Sequence, residues 1–170
     1  MLGAREHLTP ARIALLVSAL AAATVAGAWA FQAFGYAPCD LCLQQRWAYY
    51  AGAPLALLVA GAATTGRRTL ALTGFALVAG IFVANGVFGA WHAGVEWRFW
   101  PGPSGCTGAF APAGDMGDFL RQMEAARLVR CDEVALRILG LSLAGWNALI
   151  STGLAALAVV AALGLRRARA

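Results

Sequence analysis

Lysine is absent from this 170-residue chain, and charge of either sign is scarce. Only 12% of residues are charged, against about 25% in a typical soluble domain. Hydrophobic residues make up 61%. A water-soluble globule is therefore the wrong class, and a membrane protein is the leading one. With no lysine, arginine carries every permanent positive side chain, so arginine number alone has no chemical message. Other signatures are missing too. No glycine-rich dinucleotide or phosphate loop sits between a strand and a helix. Leu43, not histidine, follows Cys39-Asp-Leu-Cys42, which leaves c-type haem attachment unsupported. A four-cysteine zinc site fails on the spacing of its second pair, so no metal is expected. No internal repeat or low-complexity linker divides the chain, which reads as one integral membrane domain over residues 1–170.

What is present is four long apolar runs: Ile13–Phe34, Trp47–Thr65, Leu70–Trp91 and Ala144–Leu165. Each is close to the roughly 20 residues that a helix needs to cross the hydrocarbon layer. The expected fold is all-α: a four-transmembrane-helix bundle. Two loops, 35–46 and 92–143, would lie on one side, and a four-residue turn and both termini on the other.

The charges orient it. Arg5, Arg12, Arg67, Arg68, Arg166, Arg167 and Arg169 share the side of the termini, with Glu6 as the one acid there. The opposite side carries six arginines against seven acids. This is the positive-inside pattern, placing the termini in the cytoplasm and the two loops outside. The net charge of +5 is therefore a topology signal, and no nucleic-acid partner is expected. Ala28-Trp29-Ala30 also allows a signal-peptide reading of the first run, but the run continues to Phe34, long for such a segment.

Within the runs, Asn85 and Asn147 are expected to hydrogen-bond between helices. Pro54 should bend the second helix. Gly80, Gly86, Gly89 and Ala90 should allow close helix contact. In the long loop, Trp97, Phe99 and Trp100 precede a rigid Pro-Gly-Pro turn and suit a membrane interface. Residues 115–129 carry an apolar stripe of Met116, Phe119, Leu120, Met123 and Leu128. They are expected to form a short amphipathic helix, lying on lipid or packed as a lid.

All four cysteines, Cys39, Cys42, Cys106 and Cys131, fall in the two exported loops. An even number in an oxidising compartment points to disulfides. Three pairings are possible, and spacing favours Cys39 with Cys42 and Cys106 with Cys131. The second pair would close a loop worth about 3 kcal/mol in chain entropy, enough for a structural role. The first closes almost nothing. Its two-residue gap is the spacing of dithiols that open and close in redox chemistry. A helix starting near Pro38 puts Cys39, Cys42 and Arg46 on one face and gives the thiols the positive end of the helix dipole. Arg46 can hold an anionic partner beside Cys42, or serve only as an anchor that reaches outward. A thiolate at the lipid edge suits a lipid-soluble oxidant such as a quinone. His92, at the outer end of the third run, can hydrogen-bond such a molecule, move a proton, or act as a plain polar anchor.

Three stretches carry a resemblance: PCDLCLQQR at 38–46, WHAGVEWRFWPGPSGC at 91–106 and RCDEVALRILGLSLAGWNALIS at 130–151. With the span pattern, they resemble the disulfide bond formation protein B (DsbB) family over nearly the whole chain. The resemblance implies an inner-membrane thiol:quinone oxidoreductase whose cysteine loops are periplasmic. Its partner would be a DsbA-like periplasmic thiol oxidase. The cofactor would be ubiquinone or menaquinone, feeding the respiratory chain. By position, the partner attacks Cys106, the released Cys131 attacks Cys39, and Cys42 becomes the thiolate facing quinone. Arg46 and His92 match the family's quinone-site positions. Asp40 places a negative charge between the first two thiols, which opposes thiolate formation. The Trp-Pro-Gly-Pro segment resembles only part of the family, some of whose members serve dedicated partners. A protein exporting reducing equivalents should carry thiols inside its spans, and this chain has none there. A scaffold with static bridges, or an enzyme resembling vitamin K epoxide reductase, shares much of the same pattern.

Overall fold

The computed structural model describes residues 9–103, 115–117, 120 and 130–167. It contains four long helices: α1 (Pro10–Ala33), α2 (Asp40–Thr64), α3 (Arg68–Glu96) and α4 (Leu143–Arg167). Each is long and apolar enough to cross a membrane. All four outrun the apolar runs that mark them, because capping and end residues extend the helix past the hydrocarbon-length core.

Local chemistry sets the helix ends. Thr9 caps α1 by accepting a hydrogen bond from Arg12 N at 3.3 Å, and Pro10 opens the first turn. Gly66, at φ 71°, makes the tight turn between α2 and α3. Cys39, the residue after Pro38, is the N-cap of α2, so the helix begins near Pro38 as its sequence suggests. The third helix runs on to Glu96, so His92 lies one turn inside α3 rather than at the start of a loop.

A two-stranded antiparallel ribbon precedes α4. Its strands are β1 (Arg137–Ile138) and β2 (Leu141–Ser142). Leu139 and Gly140, at φ 53° and 82°, form its two-residue turn, the left-handed geometry such tight hairpins favour. Ser142 then accepts a hydrogen bond from Gly145 N at 3.2 Å, starting α4.

The helices pack in sequence around an interior of Val17, Phe75, Val78, Phe82 and Leu154. Leu57, Leu58, Val83, Val87, Leu149 and Val160 point outward and are exposed, an apolar exterior suited to lipid. The α3–α4 contact is the most extensive, and among the four neighbouring helix pairs α1–α4 is the sparsest. Gly89 explains the first point. A Cβ there would lie 2.7 Å from Asn147 Nδ2 and 3.0 Å from Ala148 N. Gly86 also faces α4, but Gly80 has nothing within 4 Å, so it gives no close contact.

The expected amphipathic helix over 115–129 falls mostly outside the described residues, as does Cys106. Among the described residues of that stretch, Met116 and Leu120 are exposed.

Candidate redox site and membrane cavity

The N-terminus of α2 gathers the candidate chemistry. Cys39 Sγ lies 2.9 Å from Cys42 Sγ and also accepts from Cys42 N at 3.3 Å. Cys39 is buried and Cys42 half-buried. The hydrogen bond to Cys42 and the loss of water together push the Cys39 thiol above the ordinary thiol range. Cys39 therefore keeps its proton and Cys42 is the accepting sulfur of the pair.

Cys131 comes to the same place from the long loop. It is buried in one apolar cluster with Cys39 and Leu41. Beside it, Arg130 pairs with Asp132 at 2.7 Å, and this contact holds the Asp132 carboxyl below the usual carboxylate range. Three of the four sequence-selected cysteines thus converge.

His92 sits beneath this cluster, fully buried. Its Nε2 is 3.8 Å from Cys39 Sγ and 3.3 Å from the Cys131 carbonyl oxygen. Its Nδ1 is 2.8 Å from Gln45 Nε2. The Cys131 carbonyl needs a donor, so Nε2 carries the proton and Nδ1 accepts from Gln45. Both ring nitrogens are engaged by the protein, and the ring is not part of the wall of the neighbouring cavity. Burial behind Cys39 turns the imidazole toward the sulfurs. Cys39, Cys42 and His92 bring two sulfurs and a ring nitrogen within 4.8 Å of one another.

A ladder of buried amides extends from His92 into the bundle. Asn147 Nδ2 donates to Gln45 Oε1 at 2.8 Å. Asn147 Oδ1 accepts from the Tyr49 hydroxyl and, at 3.1 Å, from Asn85 Nδ2. Asn85 Nδ2 and Tyr49 also reach Ser151 Oγ, each at 3.0 Å. The expected interhelical bond between the two asparagines is there. Sequence reasoning did not single out Gln45, Tyr49 or Ser151. The signal available was that polar groups inside apolar spans must find partners.

Beside the ladder lies a mainly apolar cavity of about 490 Å³ in the seam between α1 and α4. Gly27, Ala28 and Phe31 of α1 form one side, and Ala144, Trp146 and Ile150 of α4 the other. Cys42 and Arg46 of α2 both line it. Arg46 is half-buried and its Nη1 donates to Gln32 Oε1 at 3.0 Å. The i, i+4 spacing of Cys42 and Arg46 puts sulfur and cation on one helical face. Glu96, which sequence reasoning passed over, also lines the cavity. Its Oε2 is buried with no hydrogen-bond partner among the described residues.

The family model described as "Disulfide bond formation protein DsbB" matches residues 10–161. The chain belongs to the DsbB family. Its four-helix membrane architecture is that of the family, and membership makes it a disulfide-forming, multi-pass membrane oxidoreductase. No curated protein and no solved structure gives a significant match. DsbB proteins are generally quinone-linked. The features here fit such a group: apolar walls, a half-buried cation beside a thiol, and a carboxylate oxygen left without a partner.

Proposed function

We propose that this DsbB-family protein is a quinone-dependent thiol oxidase of the bacterial inner membrane. It reoxidises a DsbA-like periplasmic dithiol and delivers the electrons to membrane quinone. The observation that carries the reading is that Cys39, Cys42 and Arg46 share the wall of one apolar cavity, while Cys39 also packs in one cluster with Cys131.

The roles follow from position. The soluble partner attacks Cys106 in a Cys106–Cys131 disulfide and frees Cys131. Cys131 attacks Cys39, opening the Cys39–Cys42 bridge and leaving the electron pair on Cys42. His92, donating from Nε2, orients the Cys39 sulfur and the Cys131 main chain for this exchange. Arg46 offers its guanidinium to negative charge in the cavity, where low dielectric strengthens the attraction. A bound quinone supplies a two-electron, two-proton acceptor. The α1 and α4 walls exclude water from Cys42, which protects the exposed thiolate from side reactions. Respiratory enzymes would then reoxidise the quinol. The positive-inside arginines support termini in the cytoplasm and cysteine loops in the periplasm.

The test uses purified Cys106→Ser and Cys42→Ser variants with reduced partner and quinone, trapped in acid and then alkylated. Cys106→Ser is expected to form no partner-linked mixed disulfide. Cys42→Ser is expected to accumulate that species without reducing quinone. Wild-type behaviour by both variants refutes the relay.

A further inference from the structure

Glu96 ends α3 one turn after His92, and its carboxylate turns into the bundle. Ser142, buried on β2, lies beside it. The Oε2 atom is buried and has no partner among the described residues. An unpartnered buried carboxylate oxygen is costly, and an acid kept at the edge of a membrane span usually serves a proton or charge task. The oxygen belongs to a group lining the same cavity as Cys42 and Arg46, and Glu96 acts electrostatically on both Cys42 and His92.

The chemistry in this cavity needs a proton carrier. Oxidation of the reduced Cys39–Cys42 pair forms one S–S bond and breaks two S–H bonds. It releases two electrons and two protons. A quinone takes up both electrons and both protons and leaves as quinol. The wall is mainly apolar, so the protons need a group that accepts and gives them up.

We propose that Glu96 is the proton carrier of this cavity, taking a proton from the cysteine pair and giving it to the reduced oxygen of the lipid-soluble oxidant. The proposal rests on the thiol:quinone reading given above. Each cycle returns Glu96 to its starting state: the carboxylate gains a proton as a thiol loses one, then passes it on. Ser142 lies beside the carboxyl while Oε2 remains available. Several ionisable groups surround it. Cys39 and Cys42 at the start of α2, Arg46 and Tyr49 further along it and Tyr36 before it line the same cavity, and His92 precedes Glu96 on α3. Arg130, Glu133 and Arg137 approach from the segment leading into the ribbon, and α4 adds none to the wall. A pH profile dominated by Glu96 must be read against these.

The experiment uses the full-length protein in lipid nanodiscs with decylubiquinone as probe. Single-turnover oxidation of the prereduced cysteine pair is followed across pH. Glu96→Gln is expected to slow it about 10²-fold or more and to remove one limb of the pH profile. Glu96→Asp should restore most of the rate and the lost limb. A second readout needs no turnover: the infrared difference spectrum between reduced and oxidised protein should show a carboxylic-acid C=O band that Glu96→Gln abolishes. Rate, pH profile and band all unchanged in Glu96→Gln would reduce Glu96 to a packing group beside Ser142 and overturn the proposal. Should that variant fail to fold, the absence of the carboxyl band in wild type overturns it equally. Cys42→Ser separates the two levels. Persistence of quinone reduction in that variant sinks the thiol:quinone reading itself, whereas its loss beside a normal Glu96→Gln sinks only the proton carrier.

Discussion

Asn147→Leu is the substitution that most directly probes the buried amide ladder. Asn147 lies on α4 and bonds to Gln45 and Tyr49 on α2 and to Asn85 on α3, joining three of the four helices. Interhelical hydrogen bonds in membranes average about 0.6 kcal/mol, with a maximum near 1.7. Three of them sum to about 2 kcal/mol. Ser151 keeps Tyr49 and Asn85 satisfied after the change, whereas Gln45 Oε1 loses the Asn147 donor. The expected loss is therefore about 2 kcal/mol, roughly thirtyfold in the folding equilibrium. Reversible unfolding in mixed micelles measures it. Asn85→Leu, which spares the Gln45 bond, should cost less. Asn147→Leu should also loosen the Gln45 amide, visible as a changed Nδ1 shift in nitrogen NMR of the His92 imidazole. A loss below about 0.5 kcal/mol, with that shift unchanged, would refute the ladder as the support of His92.

Three further outcomes are expected. Because its hydrogen bond to Cys42 and burial push the Cys39 thiol up, iodoacetamide near neutral pH should label Cys42 first, and peptide mapping showing Cys39 first would contradict this. By linkage, the tighter-held Cys39 proton stabilises the reduced fold below the ordinary thiol range, and that contribution is lost as pH rises through the folded value. Unfolding of reduced wild type and Cys39→Ser, compared near neutrality and in alkali, should show the difference shrinking in alkali. Gly89→Val should cost about 1–3 kcal/mol by forcing α3 from α4, whereas Gly80→Ala should be nearly silent, both read from thermal unfolding in detergent. Arg46→Met should raise the KM for decylubiquinone about 10- to 100-fold, the worth of one charge-assisted bond, and leave partner-linked disulfide formation unchanged.

The frame was legible because bilayer thickness dictates run length. The face shared by Cys42 and Arg46 was legible too, since helical spacing is a local property. What escaped notice depends on distant partners. Gln45 and Asn147 are 102 residues apart, and no local pattern couples them. His92 looked like an end-of-span group, but α3 continues past it and the loop returning with Cys131 seals it in. Glu96 was passed over for the same reason: the apolar run stops before the helix does.

The sparse α1–α4 seam has a consequence for substrate size. A molecule with a long isoprenoid tail cannot fit inside a space of about 490 Å³. It has no need to. Only the ring must enter between two neighbouring helices, and the tail can stay among the lipid chains outside. Exchange of spent for fresh oxidant then becomes sideways diffusion in the plane of the bilayer, with the four-helix frame left standing.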